Sequence, residues 1–66
     1  MTLQELGLTD ATIRRLNNEG IDSAEQLTEM NEEDVIKVKG IGRKHLEMIF
    51  WRMEENGLHF KDWEGE

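Results

Sequence analysis

Glycines interrupt this sequence at intervals, and the apolar residues between them follow helical spacing in segments that leave room only for short helices. They stand at Gly7, Gly20, Gly40, Gly42, Gly57 and Gly65. No sustained alternation of apolar and polar residues, the pattern of a half-buried strand, occurs between them. The protein has 66 residues and no cysteine, so no disulfide can reinforce its small core. We predict an all-α fold, a compact bundle of about five short helices, with one domain over residues 1–60 and a C-terminal tail over 61–66.

Start and stop signals place the helices along the sequence. A first short helix is predicted over Leu3–Leu6 because Gly7 follows it. Thr9 is a good N-cap for the second helix, which should end before Gly20. The third and fourth helices are predicted to start at the capping box of Ser23 and Gln26 and at Asn31, which precedes three acids. The last helix should run from about Arg43 to Asn56.

The apolar positions of these helices predict which side chains form the core. They are Ile13, Leu16, Ala24, Leu27, Met30, Val35, Ile36, Val38, Leu46, Ile49, Phe50 and Met53. The tail residues Leu58–Phe60 should fold back onto this core. The sequence does not decide whether Trp63 packs there as well. Met48 and Trp51 fall off the apolar face of the last helix, so they either cover the tail or form part of a partner surface.

The two halves of the sequence resemble each other at an offset of 33 residues. Gly7 and Leu8 match Gly40 and Ile41, and Leu16 matches Ile49. Each half would then be a helix, a tight glycine turn and a second helix, and the two units would pack as a pseudo-twofold pair. The alternative is a chance alignment of apolar helical positions.

Charge is distributed unevenly along the sequence. The net charge of −7 argues against general binding to polyanions, since repulsion opposes the approach of phosphate. Residues 37–44, however, read KVKGIGRK and carry four bases and no acid. A nucleic-acid surface on this molecule would therefore be local and centred on this segment.

This basic segment contains the one motif that indicates a binding chemistry. A helix ends, Gly40-Ile41-Gly42 forms a turn with Ile41 pointing into the core, and a new helix begins with Arg43 and Lys44. Backbone N–H groups at a helix start, with the positive end of the helix dipole behind them, can hold an anion. We expect this turn to contact a phosphate, with Lys39 beside it. The alternative is an ordinary glycine turn whose bases only keep the surface soluble.

Most of the sequence resembles the carboxy-terminal domain of the bacterial RNA polymerase alpha subunit, a helix-hairpin-helix (SAM-like) fold. The resemblance runs from about Leu3 to Phe60 and rests on the segments Leu6-Gly7-Leu8-Thr9, Ile13-Arg14-Arg15-Leu16, Gly20-Ile21, Glu32-Glu33-Asp34-Val35, Gly40-Ile41-Gly42-Arg43-Lys44 and Asn56-Gly57-Leu58. It implies binding to the minor groove of A+T-rich promoter DNA, and contacts with activators and sigma factor.

The resemblance also implies DNA-contact positions. The family's second contact loop falls on residues 41–45, where His45 replaces a small hydroxyl residue, and its first contact helix falls on residues 10–15. There the family's minor-groove arginine aligns with Ala11, next to Asp10, and this departure weakens the expectation of sequence-selective binding. Together with the motif, the predicted DNA-binding residues are Arg14, Arg15, Lys39, Gly40, Ile41, Gly42, Arg43, Lys44 and His45.

Two function classes remain open. The first is a non-enzymatic, transcription-related module that binds the DNA backbone or minor groove weakly; the second is a protein-interaction domain that keeps the fold, has lost DNA binding, and docks on RNA polymerase, sigma factor or an activator. We expect no catalytic residues, because there is one serine, no cysteine and no tyrosine. Neither a metal nor another cofactor is expected, since His45 and His59 have no ligand spacing. We further expect a monomer of bacterial or phage origin. It should be cytoplasmic, and associated with the nucleoid if it binds DNA.

Overall fold

The computed structural model describes residues 1–64, which form five helices and no sheet. The helices are α1 (Leu3–Leu6), α2 (Asp10–Asn18), α3 (Ala24–Thr28), α4 (Glu32–Ile36) and α5 (Arg43–Glu55). The predicted all-α bundle of five short helices is confirmed. Of the predicted tail, residues 65 and 66 lie outside the described residues.

Capping side chains set the helix starts. The Thr9 hydroxyl accepts a hydrogen bond from the Thr12 amide at 3.3 Å and thereby caps α2. At α3, Ser23 and Gln26 form the predicted reciprocal capping box. At α4 the roles differ from the prediction: no cap bond comes from the Asn31 side chain, and the Asp34 carboxylate instead accepts from the Asn31 amide at 3.2 Å.

The core lies where the five helices meet, and each helix contributes at least one buried apolar side chain. Its largest fully buried members are Leu16, Leu27, Val35, Ile49 and Met53. Ile13, Met30, Leu46 and Phe50 are partly buried and pack against this core. Ile36 was predicted to be buried and is not: its side chain is 36% exposed, because Val35 and Val38 already supply the inward face of this segment.

The segment after α5 folds back as predicted. Phe60 is buried in the core, and the Lys61 amide donates to the Met30 carbonyl at 2.9 Å. Trp63 stays on the surface, where its ring stacks on His59 with centroids 3.5 Å apart. Within residues 1–64, no helix is both long and apolar enough to cross a membrane.

The sequence repeat has a structural counterpart. Gly7 and Gly40 both adopt a positive φ, at +99° and +87°. The residues that follow them, Leu8 and Ile41, are both buried, and α1 packs on α2 as α4 packs on α5. The molecule therefore contains two hairpins, which we call hairpin 1 (residues 3–18) and hairpin 2 (residues 32–55).

Candidate nucleic-acid interface

The turn of hairpin 2 is held by its own backbone and by one buried side chain. The Ile41 amide donates to the Val38 carbonyl at 3.0 Å, and the Ile41 side chain is only 5% exposed. Ile41 therefore anchors the turn in the core, as the sequence predicted, and neither its side chain nor its amide is available to a ligand.

Arg15, from α2, lies across this turn. One terminal nitrogen of its guanidinium donates to the Gly40 carbonyl at 3.2 Å. Its aliphatic carbons pack directly on the glycine, since a Cβ built at Gly40 would stand 2.8 Å from the Arg15 Cδ. The absence of a side chain at Gly40 thus allows an arginine from the other hairpin to approach. The structure places Arg15, one of the predicted DNA-binding residues, in this contact between the two hairpins.

His45 lies between two hydrogen-bond donors. Its Nδ1 is 3.3 Å from the Gly42 amide, and its Nε2 is 3.2 Å from the same Arg15 nitrogen. A neutral imidazole has one acceptor nitrogen, and both neighbours can only donate, so only one of the two bonds is made at a time. The His45 side chain thus faces the turn with both ring nitrogens and accepts a hydrogen bond at one of them at a time.

The first turn of α5 presents free backbone donors. The Gly42 residue at the N-cap has no side chain to cap the helix, and the first internal bond of α5 runs from the Leu46 amide to the Gly42 carbonyl at 2.9 Å. Within residues 1–64, the amides of Arg43, Lys44 and His45 have no hydrogen-bond partner. They lie at the positive end of a thirteen-residue helix. This is the feature of hairpin 2 that suits an anion.

Exposed basic residues lie at this helix start and before it in the sequence. Arg43, Lys44 and Lys39 are all on the surface, and α5 has no acid in its first turn. Lys39 and Gly40 also line a cleft of about 370 Å³ with Arg15, Asn18 and Glu19, so the end of α2 borders the same surface. Arg14 is exposed on α2, next to the arginine that crosses the turn. The structure thus brings Arg15, Lys39 and Gly40 together around this cleft, which Glu19 also borders, whereas Arg43 lines a different depression together with Glu32 and Glu47.

Two contacts of the site have no local signal in the sequence. The contact of Arg15 with Gly40 joins residues 25 positions apart, and that of Arg15 with His45 joins residues 30 apart. The one available signal is the glycine itself, whose lack of a side chain permits a close approach without identifying the partner. Within the described residues, no three acidic or histidine side chains come close enough to hold a metal ion.

The comparisons with known proteins all point to the same family. The family model for the C-terminal domain of the bacterial RNA polymerase alpha chain matches residues 1–55. The DNA-directed RNA polymerase subunit alpha of Desulfitobacterium hafniense is 43% identical over 61 residues, which is 92% of this protein and 19% of that relative. The same subunit of Oceanobacillus iheyensis is 37% identical over 62 residues, 94% of this protein and 20% of the relative. In Alkaliphilus oremlandii the identity is 40% over 58 residues, or 88% and 18%. The sequence thus spans about a fifth of the length of these relatives.

Proposed function

The protein belongs to the family formed by the C-terminal domains of bacterial RNA polymerase alpha subunits, and from this premise we propose that it is a non-catalytic, transcription-related module that binds DNA through hairpin 2. A phosphate of the DNA backbone would sit at the first turn of α5. The observation that carries the proposal is that the amides of Arg43, Lys44 and His45 have no partner in the part of the sequence that the structure describes, and that Arg43 and Lys44 are exposed.

The residues of the site divide by role. Arg43, Lys44 and Lys39 supply charge to the phosphate, and the α5 amides supply directed donors. Arg14 is the exposed base on α2, and it directly precedes Arg15, the arginine that crosses the turn. Gly40, Ile41, Gly42 and Arg15 keep the turn in shape, and His45 holds it from within. The charge of Arg43 and Lys44 opposes the helix dipole by a few tenths of a kcal/mol each, and a bound phosphate would relieve that cost.

Affinity is expected to be weak and to depend on salt. Ala11 stands where the family has its minor-groove arginine, so the base preference that an inserted arginine supplies is missing at that position. Binding would then rest on a few phosphate contacts. With two to four such contacts, the logarithm of the binding constant should fall against the logarithm of salt concentration with a slope of about −2 to −4.

An NMR titration with a short A+T-rich duplex at low salt tests the proposal. Amide shifts should concentrate at residues 39–45 and at Arg14, and the double variant Arg43→Ala, Lys44→Ala should lose most binding while its spectrum remains that of a folded protein. The matched control is Lys37→Ala with Lys61→Ala, which removes the same charge from exposed sites outside the first turn of α5. Equal losses in the two double variants would show that only net charge matters and would contradict the proposed site.

The protein-docking alternative has one specific observation in its favour. The exposed start of α2 carries an acid, Asp10, and a small side chain, Ala11. A helix that contacts DNA would need a base at this point. In that case the domain would bind a subunit of RNA polymerase, sigma factor or an activator, and not DNA. Shifts spread over the acidic helices, or no shifts with DNA at all, would favour this alternative.

A further inference from the structure

A groove runs along the outer side of α5 and begins at Arg43, next to the free amides. It encloses about 430 Å³ and is lined by Glu32, Arg43, Leu46, Glu47, Phe50 and Trp51. Glu32 begins α4, and the other five residues follow the helical spacing of α5, so that they share one side of that helix. We call this depression the α4–α5 groove.

The apolar wall of the groove is formed by two aromatic rings. Phe50 packs against the core, and the Trp51 ring meets it edge-to-face at 6.0 Å with an interplanar angle of 83°. Phe50 therefore supports a tryptophan whose side chain remains 60% exposed. The tail does not cover it, because Trp63 stacks on His59 instead. Of the two roles that the sequence left open for Trp51, a partner surface is the one that agrees with this exposure.

The polar lining of the groove is mainly acidic. Glu32 and Glu47 border it, and Glu54 is exposed about one helical turn beyond Trp51. Among residues 1–64, neither Glu32 nor Glu47 forms an ion pair, whereas Arg52 is engaged by Glu55 on the same helix. Arg43, at the end of the groove, is the single base in the lining. The groove thus combines a fixed aromatic face with carboxylates that lack a cation.

We propose that the α4–α5 groove is a docking site for a protein segment that presents an arginine or lysine beside an apolar side chain. The cation would lie over the Trp51 ring and between the carboxylates of Glu47 and Glu54, where the aromatic face and the negative charges attract the same group. The apolar side chain would fill the space along Leu46 and Phe50. DNA is disfavoured here, because the glutamates repel phosphate. This inference goes beyond DNA binding by the α5 amides. Arg43 borders both sites, but the groove extends along α5 to Trp51 and attracts a cation, not a phosphate.

Three short helical peptides serve as probes. One carries arginines and leucines on a single face, the second replaces the arginines with lysines, and the third replaces them with glutamates. Binding is followed by NMR amide and indole shifts and by Trp51 fluorescence in a Trp63→Phe background. The two basic peptides should shift the Trp51 indole and the amides of residues 46–51, and the acidic peptide should not. If both basic peptides leave these signals unmoved, or if the acidic peptide binds equally well, the proposal is wrong.

Two variants and a matched control locate the contact. Trp51→Ala should weaken peptide binding by at least about tenfold, as expected for a central aromatic anchor, and Glu47→Lys should weaken it by a similar factor. Met48→Ala is the control, because Met48 is an exposed apolar residue of α5 that does not line the groove. A Met48→Ala loss equal to that of Trp51→Ala would overturn the assignment. Concentration-dependent dimerisation that Trp51→Ala abolishes would also overturn it, since the occupant would then be a second copy.

Discussion

At the turn of hairpin 1, Thr9 caps the second helix with its hydroxyl and Asp10 places an acid in the first helical turn. At the corresponding point of hairpin 2, Gly42 offers no side chain, and Arg43 and Lys44 bring two bases. The glycines before both turns have positive φ, and the residues after those glycines are buried in both. The backbones are thus alike, while the side chains at the two helix starts favour opposite charges in a ligand.

Each hairpin also receives an arginine from the other. Arg15 of hairpin 1 packs on Gly40, and Arg52 of hairpin 2 packs on Gly7 with its Cδ 3.5 Å from where a Cβ would stand. The two contacts differ in their polar part. Arg15 donates to the Gly40 carbonyl, whereas the buried Nε of Arg52 finds no partner among the described residues. Within residues 1–64, the crossing arginine therefore donates a hydrogen bond to the glycine turn only in hairpin 2. The helix starts also differ: the amides of Arg43, Lys44 and His45 are free in hairpin 2, whereas in hairpin 1 Thr9 caps the amide of Thr12.

The glycine turn alone does not make a phosphate site in this molecule. The same turn occurs twice, but in hairpin 1 the Thr9 hydroxyl accepts from the Thr12 amide, and Asp10 brings a negative charge to the helix start. The binding capacity of hairpin 2 would come from two side-chain features, the missing cap and the two bases. Exchanging these two features between the hairpins should therefore move the capacity to bind a phosphate from hairpin 2 to hairpin 1.

The largest effect is expected from making the start of α5 resemble that of α2. Gly42→Thr with Arg43→Asp adds a hydroxyl cap and an acid at the free amides, and Gly42 has open space for a side chain. We expect DNA affinity to fall by about 2–3 kcal/mol, on the order of 100-fold, because charged hydrogen bonds are replaced by repulsion. Fluorescence anisotropy with a labelled A+T-rich duplex measures the change. Lys61→Asp makes the same charge change in the tail, and an equal loss there would refute the local role of α5.

The next effect concerns the stability of the two turns. Gly40→Ala should destabilise the fold by about 2 kcal/mol, since it combines a positive φ with a clash against Arg15. Gly7→Ala has the strained φ without the clash and should cost about 1 kcal/mol. Urea denaturation followed by circular dichroism gives both free energies of unfolding. Costs that are equal, or reversed in order, would mean that the Arg15 contact does not tighten hairpin 2.

Giving hairpin 1 the missing base is the converse experiment. Ala11→Arg should tighten DNA binding by about 1–2 kcal/mol, provided that the first turn of α2 faces the duplex as the family resemblance implies. Titration of the variant with the same duplex measures the gain, and Glu29→Gln at the exposed C-cap of α3 is the control, because it changes the net charge by the same single unit. An unchanged affinity would mean that α2 does not approach DNA.

The smallest effect separates the two crossing arginines. Arg15→Met removes a hydrogen bond to Gly40 and should cost about 1 kcal/mol of stability. Arg52→Met removes an unpartnered buried nitrogen and an exposed ion pair with Glu55, so its cost should stay within about 0.5 kcal/mol. Thermal or urea unfolding of the two variants side by side provides the test. If Arg52→Met is the costlier change, the polar part of these contacts does not distinguish the hairpins.

Much of the fold follows from local patterns in the sequence. Helical spacing, the caps at Thr9 and Ser23 and the glycines at helix ends predicted the five helices closely, because each signal acts within a few residues. Ile36 was misplaced for the same reason: helical spacing admits two adjacent inward positions, and only the packing of α4 shows that Val35 takes the buried one. The repeat and the basic segment, both visible in the sequence alone, also indicate hairpin 2 as the candidate site.

The sequence by itself determined which segments are helical, where the turns lie, and that the positive charge collects at residues 37–44. Only the tertiary structure decided that Arg15 and His45 contact the turn of hairpin 2, and that Trp51 stands exposed beside a groove bordered by Glu32 and Glu47. The reason is that backbone conformation is governed by neighbours along the sequence, whereas the Arg15 side chain acquires its partners from residues that folding brings together across 25 and 30 positions.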